Sequence, residues 1–151
     1  MRTTTLLFLT AMCIPMLSQA GDAPKESALA IASKDPQLKW GPCPPFIPAG
    51  CQIAVLHGDP AKPNADIYFK VPAGFAIPEH WHTSAERMTL VSGELAVTYQ
   101  GQPATTLKAG MYAYGPARLA HKATCTSADA CVLFIAFEAP VDAFPTEAKG
   151  K

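Results

Sequence analysis

The chain has 151 residues and a formal net charge of zero, with 49% hydrophobic and 16% charged residues. That length is enough for one domain with its own hydrophobic core. No basic cluster is present to neutralise phosphates, which argues against nucleic acid or an acidic membrane surface as a partner.

Arg2 precedes an apolar stretch from Leu6 to Leu17, broken by Thr10 and Pro15 and followed by Ser18-Gln19-Ala20. This is the layout of a secretory signal peptide over residues 1–20, with cleavage expected after Ala20. The stretch is too short to cross a bilayer as a helix, and no other segment is as long, so no stable membrane anchor is expected. Lipid attachment at Cys13 fits less well, because Met12 stands where a small residue is needed. The remaining chain carries 11 basic and 12 acidic side chains. It is expected to be secreted or periplasmic.

Four cysteines remain, an even number in an exported chain, and they read as two disulfides with three pairings open. Local pairing is the simplest: Cys43 with Cys51 across a proline-rich loop, and Cys125 with Cys131 across a polar hairpin loop. Each closed loop is short, so each bond is worth about 2–3 kcal/mol. No C-x-x-C spacing favours a thiolate metal or redox site.

Residues 21–51 read as a loop-rich extension. Ser27 to Ser33 has the length of a helical turn or two, bounded by Pro24 and Pro36. Trp40 to Gly50 holds four prolines and two glycines and reads as an irregular loop. From Gln52 the texture is all-β, with short apolar runs between turn signals. Strands are expected at Gln52–His57, Asp66–Val71, Glu79–His82, Arg87–Ser92, Leu95–Tyr99, Thr105–Lys108, Met111–Tyr114, His121–Thr124 and Cys131–Glu138. That density of short strands points to a sandwich or small barrel over residues 52–138. Residues 139–151 read as a tail without a strong pattern.

Within this β region three histidines and a carboxylate form a metal-binding pattern. His80 and His82 stand at i and i+2 of a strand and project to one face, with Trp81 on the other. Their Cα atoms lie roughly 6.5 Å apart in such a strand, which lets two imidazoles converge on one ion. Glu86 follows after a corner, and His121 joins from a separate strand. Three neutral nitrogens and one hard oxygen suit a divalent first-row metal. Octahedral coordination leaves two positions for water, dioxygen or substrate. His57, before Gly58-Asp59-Pro60, reads as a surface or turn residue.

The spacing of these residues resembles the two motifs of the cupin superfamily. Gly74, His80, His82, Glu86 and Gly93 match the first motif at every fixed position. Gly110, Pro116 and His121 match the second, with Arg118 in place of its glycine and Cys125 in place of its asparagine. The resemblance implies a single cupin-type barrel, a double-stranded β-helix or jelly roll, of the small metal-binding kind. It implies His80, His82, Glu86 and His121 as the metal ligands. The ligand set is similar to that of cupin dioxygenases, which favours iron, with manganese, nickel, copper or zinc as alternatives. Pairing of barrels into a homodimer is a further implication.

A barrel mouth is a natural small-molecule site. Candidate walls are Tyr68, Phe69, Phe75, Met88, Tyr112, Tyr114, Phe134 and Phe137, with Phe69, Met88, Tyr112 and Tyr114 as candidate substrate contacts. Arg118 is a candidate anchor for a substrate carboxylate. No separate nucleophile–base pair, phosphate loop or dinucleotide fingerprint is visible. The expected function is therefore a metal-dependent enzyme on a small molecule, dioxygenase-like before isomerase or lyase. The competing expectation is a non-catalytic binding or sensing module.

Overall fold

The structure, a computed structural model, describes residues 26–146. The expected signal peptide lies outside them. The chain divides between Ala30 and Ile31, and residues 26–30 carry no regular structure. Residues 31–146 are all-β.

Among the described residues, eleven strands fall in two antiparallel sheets. The first contains β1 (Trp40–Pro42), β2 (Gln52–His57), β3 (Ala65–Val71), β10 (Cys131–Phe137), β5 (Glu86–Ser92) and β8 (Tyr112–Gly115), in that spatial order. The second runs β11 (Phe144–Pro145), β4 (Ala76–Trp81), β9 (His121–Cys125), β6 (Glu94–Tyr99) and β7 (Thr105–Lys108). The two sheets face each other as a jelly roll. Alternation along each strand sets which residues enter the core. Ile67, Leu90, Leu133, Ile135 and Phe137 come from the first sheet, and Ile77, Leu95, Val97 and Ala123 from the second.

Nine strands match those expected from the sequence, with ends shifted by up to three residues. Three expectations are corrected. No helical turn forms between Ser27 and Ser33, where the backbone has no regular structure up to a turn that begins at Ser33. The Trp40–Gly50 segment is not wholly irregular, because Trp40–Pro42 pairs with Gln52–Ala54 at the edge of the first sheet. The tail is not featureless, because Phe144 and Pro145 pair with Trp81 and His80.

Both local disulfides form, Cys43–Cys51 and Cys125–Cys131, with Cα separations of 5.6 and 5.8 Å. The second joins the end of β9 to the start of β10, and so ties one sheet to the other. Gly93 sits against it at φ +86°, and a Cβ there would lie 2.9 Å from Cys131 Sγ. Only glycine meets both requirements.

Candidate metal centre

His80 and His121 are cross-strand partners on β4 and β9, and Tyr99 of β6 is the next partner of His121. The three thus form one row across the inner face of the second sheet. A register shift between Ile77 and His80 lets both residues face inward although three positions separate them. Such a bulge re-aims side chains next to functional sites. His82 follows the end of β4 and returns to the interior, while Trp81 points the other way and stacks on Phe144. Glu86 approaches from the first sheet, where β5 pairs it with Phe137 and Gly115.

The four side chains are buried together. The imidazoles of His80, His82 and His121 offer nitrogens all within 4.8 Å of one another, so this group could hold a metal ion. Glu86 Oε1 lies 3.3 Å from His82 Nε2, and its Oε2 lies 3.4 Å from His121 Nε2.

Backbone carbonyls fix the tautomers. His80 Nδ1 donates to Pro78 O at 2.7 Å and His121 Nδ1 to Leu119 O at 3.1 Å. His82 Nδ1 donates to the carbonyl of Asp142, 60 residues further along the chain. With Nδ1–H engaged, each Nε2 keeps its lone pair, the form that ligates a metal. Burial lowers the pKa of all three, that of His82 to about 4 and that of His121 to about 3, with neighbouring imidazoles adding to the effect on both. Burial alone pushes the Glu86 carboxyl up to about 8.

Among the described residues, the buried side-chain polar atoms without a hydrogen-bond partner are His82 Nε2, Glu86 Oε2 and Tyr99 Oη. Buried polar groups are almost always paired, so three orphans in one place mark a site built for something else. A cation fits the first two atoms, which are a neutral nitrogen lone pair and a carboxylate oxygen.

The histidines open onto a cavity of about 110 Å³ between the sheets. Phe69, Met88, Phe137, Ile67, Leu95 and Leu133 are among its walls. The disulfide-closed loop adds Pro44 and Ile47, and the C-terminal segment adds Val141, Asp142 and Ala143. Phe46 of the same loop packs 5.9 Å from the His80 ring.

The C-terminal segment is held in several places. Ser84 Oγ accepts from the amides of Glu138 and Ala139. Val141 N donates to Pro60 O, and the Asp142 carboxylate accepts from Thr83 N and Thr83 Oγ1.

Of the expected substrate contacts, Phe69 and Met88 are in place. Tyr112 and Tyr114 are not, being 61% and 53% exposed on the edge strand β8. There Ala113, paired with Met88, takes the inward position and the tyrosines alternate outward. Arg118 does not reach the cavity either. It is exposed, and its guanidinium lies 5.9 Å from the Trp81 ring. It adopts φ 62°, the left-handed conformation that glycine favours, and its amide donates to His82 O at 2.8 Å. The turn before His121 therefore survives the replacement of the motif glycine. Among the other candidate walls, Phe137 lines the cavity. Phe75 packs against the core elsewhere, and Tyr68 Oη reaches Ile31 O. Phe134 is not among the cavity walls. His57 is exposed at the end of β2.

Two residues at the site escape the sequence reading. Tyr99 continues the inward alternation of Leu95 and Val97, a signal that was legible. Asp142 carries no local signal, because its partner lies 60 residues away.

A family model described as the ChrR cupin-like domain matches residues 30–140. The chain belongs to that cupin family. No curated protein matches the cupin's sequence. Among solved structures, it is similar to the DMSP lyase DddQ from Ruegeria pomeroyi, with TM-score 0.63 and 19% identity over 76% of this chain and 64% of that one. An RmlC-like cupin from Shewanella frigidimarina matches with TM-score 0.57 and 21% identity, over 70% of this chain and 86% of that one. An oxalate decarboxylase from Lactobacillus farciminis, solved as a formate complex, matches with TM-score 0.59 and 15% identity over 72% and 33%. At these identities the likeness is one of fold. The chain spans just under two thirds of the lyase and one third of the decarboxylase. Among the described residues, no helix is long and apolar enough to cross a membrane.

Proposed function

We propose that this cupin is an exported, mononuclear metal-dependent enzyme that oxidises a small molecule with dioxygen. The observation that supports it is the set of three buried imidazoles. Each is held by a backbone carbonyl, and they offer nitrogens within 4.8 Å of one another in the wall of a largely apolar cavity. In this reading His80, His82, Glu86 and His121 are the ligands, and the ion is a divalent first-row metal, iron before manganese, nickel, copper or zinc. The bound ion supplies redox and Lewis-acid chemistry.

The chain's own residues do the rest. The imidazoles stay neutral at every pH near 7, so they give up no proton on binding a cation. Glu86 loses its proton and offsets one of the two positive charges. The apolar walls admit dioxygen and a compact substrate while keeping bulk water out, which strengthens the electrostatics inside. The oxidative reading is put before a lyase or isomerase on the likeness of the ligand set to that of cupin dioxygenases, and both carboxylates at the cavity are already committed. Asp142 is engaged by Thr83, and Glu86 is assigned to the ion. The two disulfides support a setting outside the cytoplasm.

The test is elemental analysis of untagged protein, followed by oxygen-electrode screens against small carbonyl, enol and thiol compounds. Near-stoichiometric iron, copper, nickel or manganese with oxygen consumption is the expected result. Stoichiometric metal without turnover would point instead to a metal-dependent binding module. Absence of metal after each ion has been offered would end the metalloenzyme reading.

A further inference from the structure

Tyr99 is the one orphan that the metal does not explain. Its hydroxyl is buried and unpartnered, although its ring is only half-buried. The ring lies 5.1 Å from that of His121, and the residue lines the cavity. Gly115, opposite Glu86 on β8, fixes where the hydroxyl sits. A Cβ on Gly115 would lie 3.0 Å from Tyr99 Oη and 3.1 Å from Glu86 Oε2. The backbone φ at Gly115 is ordinary, so glycine is needed there for space. Four ligands from His80, His82, Glu86 and His121 already suffice for the ion. A buried hydroxyl beside them, with no protein acceptor, is shaped to donate to a bound molecule.

The walls say what that molecule is. Apart from the histidines and Tyr99, the polar side chains lining the cavity are Glu86 and Asp142, both acidic, and no lysine or arginine is among them. One divalent ion against two carboxylates leaves no net positive charge, so an anion would enter uncompensated. An apolar cavity of about 150 Å³ takes benzene. One of about 110 Å³ that also houses an ion is smaller.

We propose that Tyr99 is the substrate-orienting hydrogen-bond donor and that the substrate is a compact, uncharged molecule with one oxygen acceptor, about six heavy atoms or fewer. This rests on the metal-enzyme reading for the charge balance. The orphan hydroxyl itself does not depend on it.

The experiment uses the full protein, zinc-loaded and metal-free, as wild type and Tyr99→Phe. Acetamide, acetate and benzamide serve as probes in NMR titrations, with metal content and melting temperature read on the same samples. Acetamide is expected to bind wild type more tightly than acetate or benzamide, and Tyr99→Phe roughly 3- to 10-fold more weakly at unchanged metal content. Without probe, Tyr99→Phe is expected to melt roughly 2–6 °C higher, since it removes a buried group that had no partner. A structural hydroxyl would shift the melting temperature the other way. Equal acetamide affinity in the two proteins, a lower melting temperature for Tyr99→Phe, or tighter binding of acetate or benzamide overturns the proposal. Failure of wild type to take up metal ends the metal reading alone, because the metal-free titration still compares the two proteins. If Tyr99→Phe does not fold, Gly115→Ala is compared with wild type in the metal-free titration only, because its methyl crowds Glu86 Oε2 as well as the hydroxyl. It is expected to weaken acetamide by a similar factor; unchanged affinity overturns the proposal.

Discussion

The strand His121–Cys125 has two ends, and they are built on opposite principles. Both are crowded, with a glycine pressed against each: Gly115 at the histidine end and Gly93 at the disulfide end. At the disulfide end the polar groups find partners. Ser127 Oγ accepts from Glu94 N at 3.0 Å and donates to Asp129 O at 2.9 Å, and Thr126 N donates to Glu94 O at 2.8 Å. At the histidine end three buried polar atoms have none. One end of a single strand is finished by folding, and the other is left incomplete. Both ends leave no room for a Cβ, so crowding does not mark function here. Unspent hydrogen-bonding capacity does.

The largest expected effect breaks the incomplete end. His80→Ala with His82→Ala should reduce bound metal from near-stoichiometric to background by elemental mass spectrometry. The metal-free fold should also lose stability, on the order of a few kcal/mol, because the change opens a void and strands the Pro78 and Asp142 carbonyls, so metal is counted per folded molecule.

Breaking the finished end should do the reverse. Cys125→Ala with Cys131→Ala should cost about 2–3 kcal/mol in denaturant melts while metal per folded molecule stays constant. If metal is lost in proportion to stability, the two ends are not independent.

Asp142→Ala sharpens the comparison, since it unties a clamp on the histidine end without removing a ligand. The carboxylate bonds to Thr83 would go, and with them the hold on the carbonyl that orients His82. Metal affinity should fall about 10- to 100-fold, read by competition with a chelator.

The smallest effect is a slope. Glu86 titrates at about 8 in the metal-free protein and must be ionised to bind a cation. Between the ordinary imidazole value, about 6.5, and pH 8, metal uptake therefore releases its proton, and affinity should rise about tenfold per pH unit. Above pH 8 the rise should flatten. His82 and His121, lowered to about 4 and 3, release nothing in that window. By the same linkage the metal-free fold loses stability as pH rises toward 8, because the unfolded chain has already shed the proton that buried Glu86 retains. Proton release measured in buffers of different ionisation heat, with Glu86→Gln as the flat reference, checks both.

The sequence carried the fold and the heart of the site because both follow from short periods. His80 and His82 share a face through i, i+2 alternation, and the turn residues bounded most strands to within three positions. Alternation has two solutions on each strand, though, and bulk did not choose correctly on β8, where Ala113 faces in and Tyr112 and Tyr114 face out. On β6 the same rule, followed one step past Val97, reaches Tyr99. Trp40–Pro42 and Phe144–Pro145 are too short and too rich in proline to read as strands, since only their pairing partners make them so. Asp142 was out of reach for the same reason.

That long-range clamp also sets an order of events in the life of the chain. A nascent polypeptide holds His80, His82, Glu86 and His121 well before residue 142 has been made. At that stage two imidazoles have their carbonyl partners close by in sequence, and the third has none. A complete set of carbonyl partners for the three imidazoles therefore exists only once synthesis has run past Asp142 and that segment has docked.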